Sequence, residues 1–324
     1  MIDAEAELYR ACRTDIVLAE VHDPEEVISI AAECDALHLV NSRLPRQVID
    51  ELSSCRIISR MGAGTDKIDV EAATQRGILV TNVPRFCVPE QADHTMLLLL
   101  ALARKLPRMM EAVRGETFHG STQESIQNRR LSDCVLGLIG FGHTALAAAR
   151  RAQAFGLKVI AARRSARAGV IEGVEMVDLD TLLRTADFVS LHIPLNHETH
   201  HLIDAEALGK MKSTAYLINT ARGAVVEEAA LINALRHRTI AGAGLDVYES
   251  FDVFAEGQPG PGTHPLFDLD NVILTPHVAS FSLQAREDVT RGGIENVAAV
   301  LQGRRPKKEN IVNPDVVPQW PLSD

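Results

Sequence analysis

The chain carries no excess of basic charge: Lys and Arg total 33 against 43 for Asp and Glu, a formal net charge of −10. Without a positive field nothing draws the protein non-specifically onto nucleic acid or an anionic membrane, so a small-molecule partner is expected. Long apolar runs are missing too. The longest, Met96 to Ala103, falls far short of the roughly 20 residues that span a bilayer. The acidic start MIDAEAELYR has neither the basic beginning nor the apolar stretch of a signal peptide. Five cysteines (Cys12, Cys34, Cys55, Cys87, Cys134) are odd in number, scattered and never in C-x-x-C spacing, which argues against a disulfide framework or structural zinc. A cytoplasmic, reducing setting is expected. What is present is ordinary globular composition, 46% hydrophobic and 23% charged over 324 residues, enough for two domains with separate cores.

Short apolar runs alternate with helical patterns from end to end: DIVLAE, ALHLV, CRIISRMG and ILVTNV, later VLGLIG, KVIAA, FVSLHI, AYLINT, IAGAGLDV and NVILTP. That alternation predicts an α/β fold of parallel sheets covered by helices. A leucine-rich helix is expected from Glu90 to about Val113, a surface connection up to Leu131, and a further helix over Leu283 to Leu301. The Pro-containing stretch from Asn310 to Asp324 is expected to be extended. With a boundary near Arg114, the expected domains are residues 1–113, 114–282 and a return, 283–324, to the first.

The strand-like VLGLIG runs into Gly140-Phe141-Gly142-His143-Thr144-Ala145 and then a small, apolar, helix-like stretch. This is G-x-G-x-x-A in the strand–turn–helix setting that dinucleotide binding requires. The first glycine makes the tight turn, the second lets the backbone approach a pyrophosphate, and the alanine keeps helix and strand close. The next strand, KVIAA, ends in Arg163-Arg164-Ser165 instead of Asp or Glu. A carboxylate there would hold a ribose diol and repel a 2′-phosphate, whereas arginine does the reverse, so NADP is the preferred cofactor and NAD the second.

The blocks RMGAGTDKID (60–69), TNVP (81–84), EQADHT (90–95), GFG (140–142), FVSLHIPL (188–195), INTARG (218–223), GLDVYE (244–249) and ILTPH (273–277) together resemble the D-isomer-specific 2-hydroxyacid dehydrogenases. The order and spacing cover nearly the whole chain. EQAD, HETHHLID and LDVYES are most similar to the branch that holds the C-terminal-binding corepressors and their bacterial relatives. The resemblance implies a flavodoxin-like substrate domain built from both chain ends around an inserted, doubly wound Rossmann domain, with the active site between them. It also implies a homodimer and hydride transfer between a nicotinamide and a small 2-hydroxy or 2-oxo acid.

Carried onto this sequence, the family pattern makes Arg222 the cation for the substrate carboxylate, a task suited to a planar guanidinium fork. It makes His277 the acid/base, for which an imidazole is suited by its pKa near working pH. Asp246 falls where relatives approach the carboxamide, Thr95, Pro194, Thr199 and Ala221 where they line the cofactor, and Gly62-Ala63-Gly64 where their backbone cradles the substrate carboxylate, with Arg60 and Cys87 as wall residues. One position departs from the pattern. Most relatives place a glutamate that pairs with the histidine two residues beyond the equivalent of Glu249, and here that residue is Phe251. Glu249 or Glu256 could substitute, the former being favoured; alternatively His277 works without a carboxylate, or catalysis is weak. A dinucleotide-sensing, dimeric binding protein of corepressor type is therefore the rival reading. Finally, His197-Glu198-Thr199-His200-His201 spells the zinc-protease string H-E-x-x-H, which works only on a helix. It follows a strand through a proline, so a loop and no metal are expected.

Overall fold

In the computed structural model, residues 9, 14–21, 23–115, 118–164, 169–254, 259–260 and 262–323 are described. The chain divides into two compact units, one made of Met1–Cys87 with Ser282–Asp324 and the other of Val88–Phe281.

In the first unit, strands β1 (Ala36–Leu39), β2 (Ile57–Arg60) and β3 (Leu79–Thr81) form a parallel sheet in that order. One face buries Ile58 and Val80 against Val48 and Ile49 of helix α2 (Arg46–Glu51) and Ala72 and Ala73 of α3 (Val70–Gln75), which follows α1 (Pro24–Ala31) and α2 in the chain. On the other face Ile57 and Leu79 pack with Val300. Continuous burial of this kind, with no polar alternation, is what a parallel strand covered on both faces requires.

The second unit begins with helices α4 (Val88–Ala103), α5 (Leu106–Arg114) and α6 (Phe118–Ile126). Its sheet then uses β4 (Val135–Ile139), β5 (Lys158–Ala162), β6 (Gly169–Ile171), β7 (Val174–Met176), β8 (Phe188–Leu191), β9 (Tyr216–Asn219), β10 (Gly242–Leu245) and β11 (Val272–Leu274), in the order β11-β10-β9-β8-β4-β5-β7-β6. All pairings are parallel except β6 with β7. Chain order runs outward from β4 in both directions, so the topological switch point, where open α/β sheets bind ligands, lies between β4 and β8. Leucines 98 and 99 of α4 and alanines 145, 149 and 152 of α7 (His143–Ala154) pack with Leu136, Leu138 and Ile218. Helices α8 (Leu179–Thr185), α9 (Ala205–Lys210) and α10 (Glu228–Arg236) pack Leu182, Leu208 and Leu231 with Val189, Leu217 and Ala243. The alanine stripe is what lets α7 lie close to the sheet.

Residues 88–113, expected with the first unit, group with the second. The physical reason is α4, whose leucines cover this sheet beside α7. The single helix expected from Glu90 to Val113 is two. Pro107 cannot donate to the carbonyl four residues back, and the chain breaks at Lys105, which takes a left-handed φ of 53°. The stretch 14–20, which includes DIVLAE, forms no strand, and Val17 and Leu18 in it are exposed. The helix Leu283–Leu301, labelled α11, lies where expected. Among the described residues no helix is long and apolar enough to cross a membrane. Cys34, Cys55 and Cys134 are free thiols, and Cys12 lies outside the described residues.

Candidate active site

The register places the carboxyl ends of six strands side by side. Ile139 pairs with Ala162 and Leu191, Leu191 with Asn219, Asn219 with Leu245, and Leu245 with Leu274. The residues that follow these ends, Gly140, Arg163, His192, Thr220, Asp246 and Thr275, therefore share one edge, and most residues singled out in this unit lie on it or just beyond.

At the switch point Gly140 adopts φ 92°, and a Cβ there would meet the His192 carbonyl oxygen at 2.3 Å, so only glycine fits. Gly142 is the N-cap of α7, and among the described residues no side chain caps that helix end and a Cβ added at Gly142 would meet no atom within 4 Å. Open backbone at the positive end of a twelve-residue helix fits a pyrophosphate. His143 is exposed beside it, and Phe141 and Thr144 are half-buried. Ala145 is fully buried against the sheet, as the third position of the fingerprint requires. Burial pushes His192 down to about 4, so this imidazole, hydrogen-bonded through Nε2 to Ser190 Oγ at 2.9 Å, adds no charge beside the turn at neutral pH. Arg163 and Arg164 are exposed past β5, and Arg164 is ion-paired with Glu198. Ser165 lies outside the described residues.

Arg222 sits on the turn after β9. Asn219, buried at the strand's end, accepts from the Ala221 N–H at 3.0 Å and donates through Nδ2 to the Arg222 carbonyl at 2.8 Å, which fixes the turn over residues 220–222. Thr95 is wholly buried, its hydroxyl donating to the Gln91 carbonyl at 2.8 Å and lying 3.3 Å from Thr220 Oγ1. Gln91 in turn accepts from Thr144 Oγ1 at 3.3 Å, so α4 links the arginine turn to the dinucleotide turn. Pro194 and Thr199 belong to one loop, where Thr199 Oγ1 donates to the Pro194 carbonyl at 2.7 Å.

Asp246 is fully buried. One carboxylate oxygen accepts from Thr275 Oγ1 at 2.6 Å and the Val278 N–H at 3.0 Å, and the other from the Ala279 N–H at 2.9 Å. Its function in this geometry is to clamp the two ends of the segment that presents His277. His94 of α4 completes the clamp, with Nε2 2.9 Å from Thr275 Oγ1. His277 itself has φ 56°, a conformation a non-glycine residue holds only when its surroundings enforce it. Sequence reasoning missed His94, Asn219 and Gln91; their presence in EQADHT and INTARG was the only signal.

Glu249 does not face outward as a spare carboxylate. Oε1 pairs with His201 Nε2, and Oε2 accepts from the Glu228 N–H at 3.1 Å. Burial pushes its carboxyl up, but the His201 bond and the Glu228 N–H outweigh that and hold it below the usual range. Both oxygens are thereby engaged, by His201 and by the Glu228 N–H. Glu256 lies outside the described residues. Glu228 pins the next loop at both ends, accepting from Ser250 Oγ and contacting His264 Nε2 at 3.1 Å. Phe251 stacks on Tyr248 at 4.3 Å, with His264 at 5.3 Å and Phe267 at 6.0 Å, and Phe254 lies 5.2 Å from the His277 ring. Phe251→Glu, which puts charge into this cluster beside Glu228, is expected to lower the melting temperature by about 4 °C or more and to leave turnover within about threefold. A tenfold gain, about 1.4 kcal/mol of barrier, would show instead that residue 251 reaches the histidine.

In the other unit, the loop after β2 turns at Gly62 (φ 145°), and the Arg60 guanidinium folds back to the Met61 carbonyl. Ala63 is exposed with its carbonyl held by Asn82 Nδ2 at 2.6 Å, and Gly64 is half-buried.

Residues 96–279 match the family model described as "D-isomer specific 2-hydroxyacid dehydrogenase, NAD binding domain". A glyoxylate reductase of Thermofilum pendens is 38% identical over 317 residues, covering 95% of this chain and 91% of the relative. Among solved structures, D-lactate dehydrogenase from Aquifex aeolicus complexed with NAD and lactic acid aligns with a TM-score of 0.85 at 30% identity, covering 98% of this chain and 97% of that one. The NADPH-dependent glyoxylate/hydroxypyruvate reductase of Sinorhizobium meliloti, in complex with NADP and malonate, aligns with a TM-score of 0.78 at 30% identity over 94% and 92% of the two chains. A match of this extent, on a sheet whose switch point carries the dinucleotide turn, makes the chain a member of the D-isomer-specific 2-hydroxyacid dehydrogenase family.

Proposed function

We propose that the protein reduces small 2-oxo acids to D-2-hydroxy acids, with glyoxylate the leading substrate and NADPH the preferred reductant. The observation that carries this reading is the placement of Arg222 and His277 on the turns after β9 and β11, the strands flanking β10, on the edge that also bears the Gly140–Gly142 turn. A nicotinamide dinucleotide bound at that turn supplies the hydride. The guanidinium of Arg222 binds the substrate carboxylate, and an imidazole N–H of His277 hands its proton to the 2-oxo oxygen as charge develops there. For the other unit, substrate binding is proposed for the loop Gly62-Ala63-Gly64, with Arg60 as a wall residue. Membership of the corepressor-type branch is less well supported, because the relatives reported above are named as reductases and a lactate dehydrogenase. The apolar side chains that α4 to α6 leave exposed, among them Leu97, Met110, Val113 and Phe118, support a homodimer.

Absorbance-monitored oxidation of NADPH and NADH with 2-oxo acids of graded side-chain size tests this reading; consumption of neither cofactor across the panel would refute it. The cofactor preference rests on Arg163 and Arg164. Arg163→Asp is expected to shift the NADPH-to-NADH ratio of kcat/KM at least tenfold toward NADH, about 1.4 kcal/mol, by repelling a 2′-phosphate. An unchanged ratio removes the arginines from cofactor choice.

A further inference from the structure

We propose that His200, His201 and Glu249 form a binding site for one divalent transition ion of the zinc class. The H-E-x-x-H string does not make this site in the way its spelling suggests. Residues 197–201 form a turn, not a helix, so no pair four residues apart shares a helix face. Asn196 organises the turn, its Oδ1 accepting from the Glu198 N–H at 2.9 Å and the Thr199 N–H at 3.1 Å. The His201 N–H is held by the Ala224 carbonyl at 2.9 Å, and His201 takes a left-handed φ of 53°. These constraints bring two adjacent histidines together, with ring centroids 3.9 Å apart and planes at 32°.

Glu249 arrives from the segment after β10, and the Glu228 N–H holds its Oε2 while Oε1 meets His201 Nε2. One ligand atom from each of the three residues lies within 4.8 Å of the other two. Tetrahedral zinc with bonds of about 2.0–2.2 Å sets its donors roughly 3.3–3.6 Å apart, so small rotamer adjustments close the shell. Two imidazoles and one carboxylate are a donor set for zinc and its neighbours rather than for magnesium or calcium. His200 is exposed while the other two are half-buried, which leaves a side open for water as the fourth ligand. A hydrogen-bonded pair alone needs only His201 and Glu249; the second imidazole stacked on the first completes a chelate. Nearby, His264 Nε2 is committed to Ser250 and Glu228.

The test is calorimetric titration of the chelator-stripped, full-length protein with Zn2+, alongside His200→Ala and Glu249→Gln. His200→Ala removes an exposed ring, so its melting temperature without zinc should match the parent and any loss of binding reports the site. The expected result is one equivalent bound by the parent at micromolar or lower concentration, and at least tenfold weaker binding in both variants. No binding up to millimolar zinc, or affinity unchanged in either variant, overturns the proposal. Reductase activity plays no part in the readout, so the outcome is separate from that of the proposed function.

Discussion

Replacing His277 with asparagine should lower kcat for 2-oxo acid reduction by about 10²–10⁴-fold, the ordinary contribution of a positioned acid/base, while the dissociation constant for NADPH stays within about threefold. Asparagine is the informative choice because residue 277 has φ 56°. Asparagine occupies that region with less strain than alanine, so the variant loses the proton carrier without also losing the backbone. The clamp from Asp246 to the Val278 and Ala279 N–H groups does not involve the side chain at 277, and the melting temperature should be close to the parent's. Turnover within tenfold of the parent would mean that another group delivers the proton.

Replacing Arg222 with methionine should lower kcat/KM by about 10²–10⁴-fold, since two hydrogen bonds to a carboxylate are each worth roughly 1.5–3 kcal/mol. Lysine at the same position should recover only part of the loss, because it restores charge but not the planar fork. The turn itself should persist, as Asn219 holds it through the backbone of residues 221 and 222. Steady-state kinetics on both variants, with a 2-oxo acid and with an aldehyde lacking the carboxylate, makes the assignment specific. Equal losses on the two substrates would place Arg222 in support of the fold instead.

The sheet and its dinucleotide turn were readable from sequence because each rests on short-range pattern. VLGLIG, KVIAA, FVSLHI and AYLINT became β4, β5, β8 and β9, and G-x-G-x-x-A sits where strand meets helix. The hairpin of β6 and β7 was not, since its three-residue strands carry too little alternation to stand out. The helix α4 was recognised but placed with the wrong unit, because a leucine-rich face does not say which sheet it will cover. Site residues that act through distant partners were the hardest. The family pattern singles out Thr95 and Asp246, but not the hydrogen bonds they make to Thr220 and to Thr275, Val278 and Ala279. Glu249 finds His201, 48 residues away in the chain. Nothing in local spacing encodes such pairings.

The neck formed by Glu228, Ser250 and His264 bears on how the family can diversify. Once the two ends of a loop are tied, lengthening the segment between them costs little, about 0.6 kcal/mol for each doubling of its length. The ring of Phe254 beside His277 belongs to that segment. Insertions there can therefore reshape the wall next to the proton carrier while β10, β11 and the Asp246 clamp keep their register, so substrate range can drift without a matching loss of fold stability.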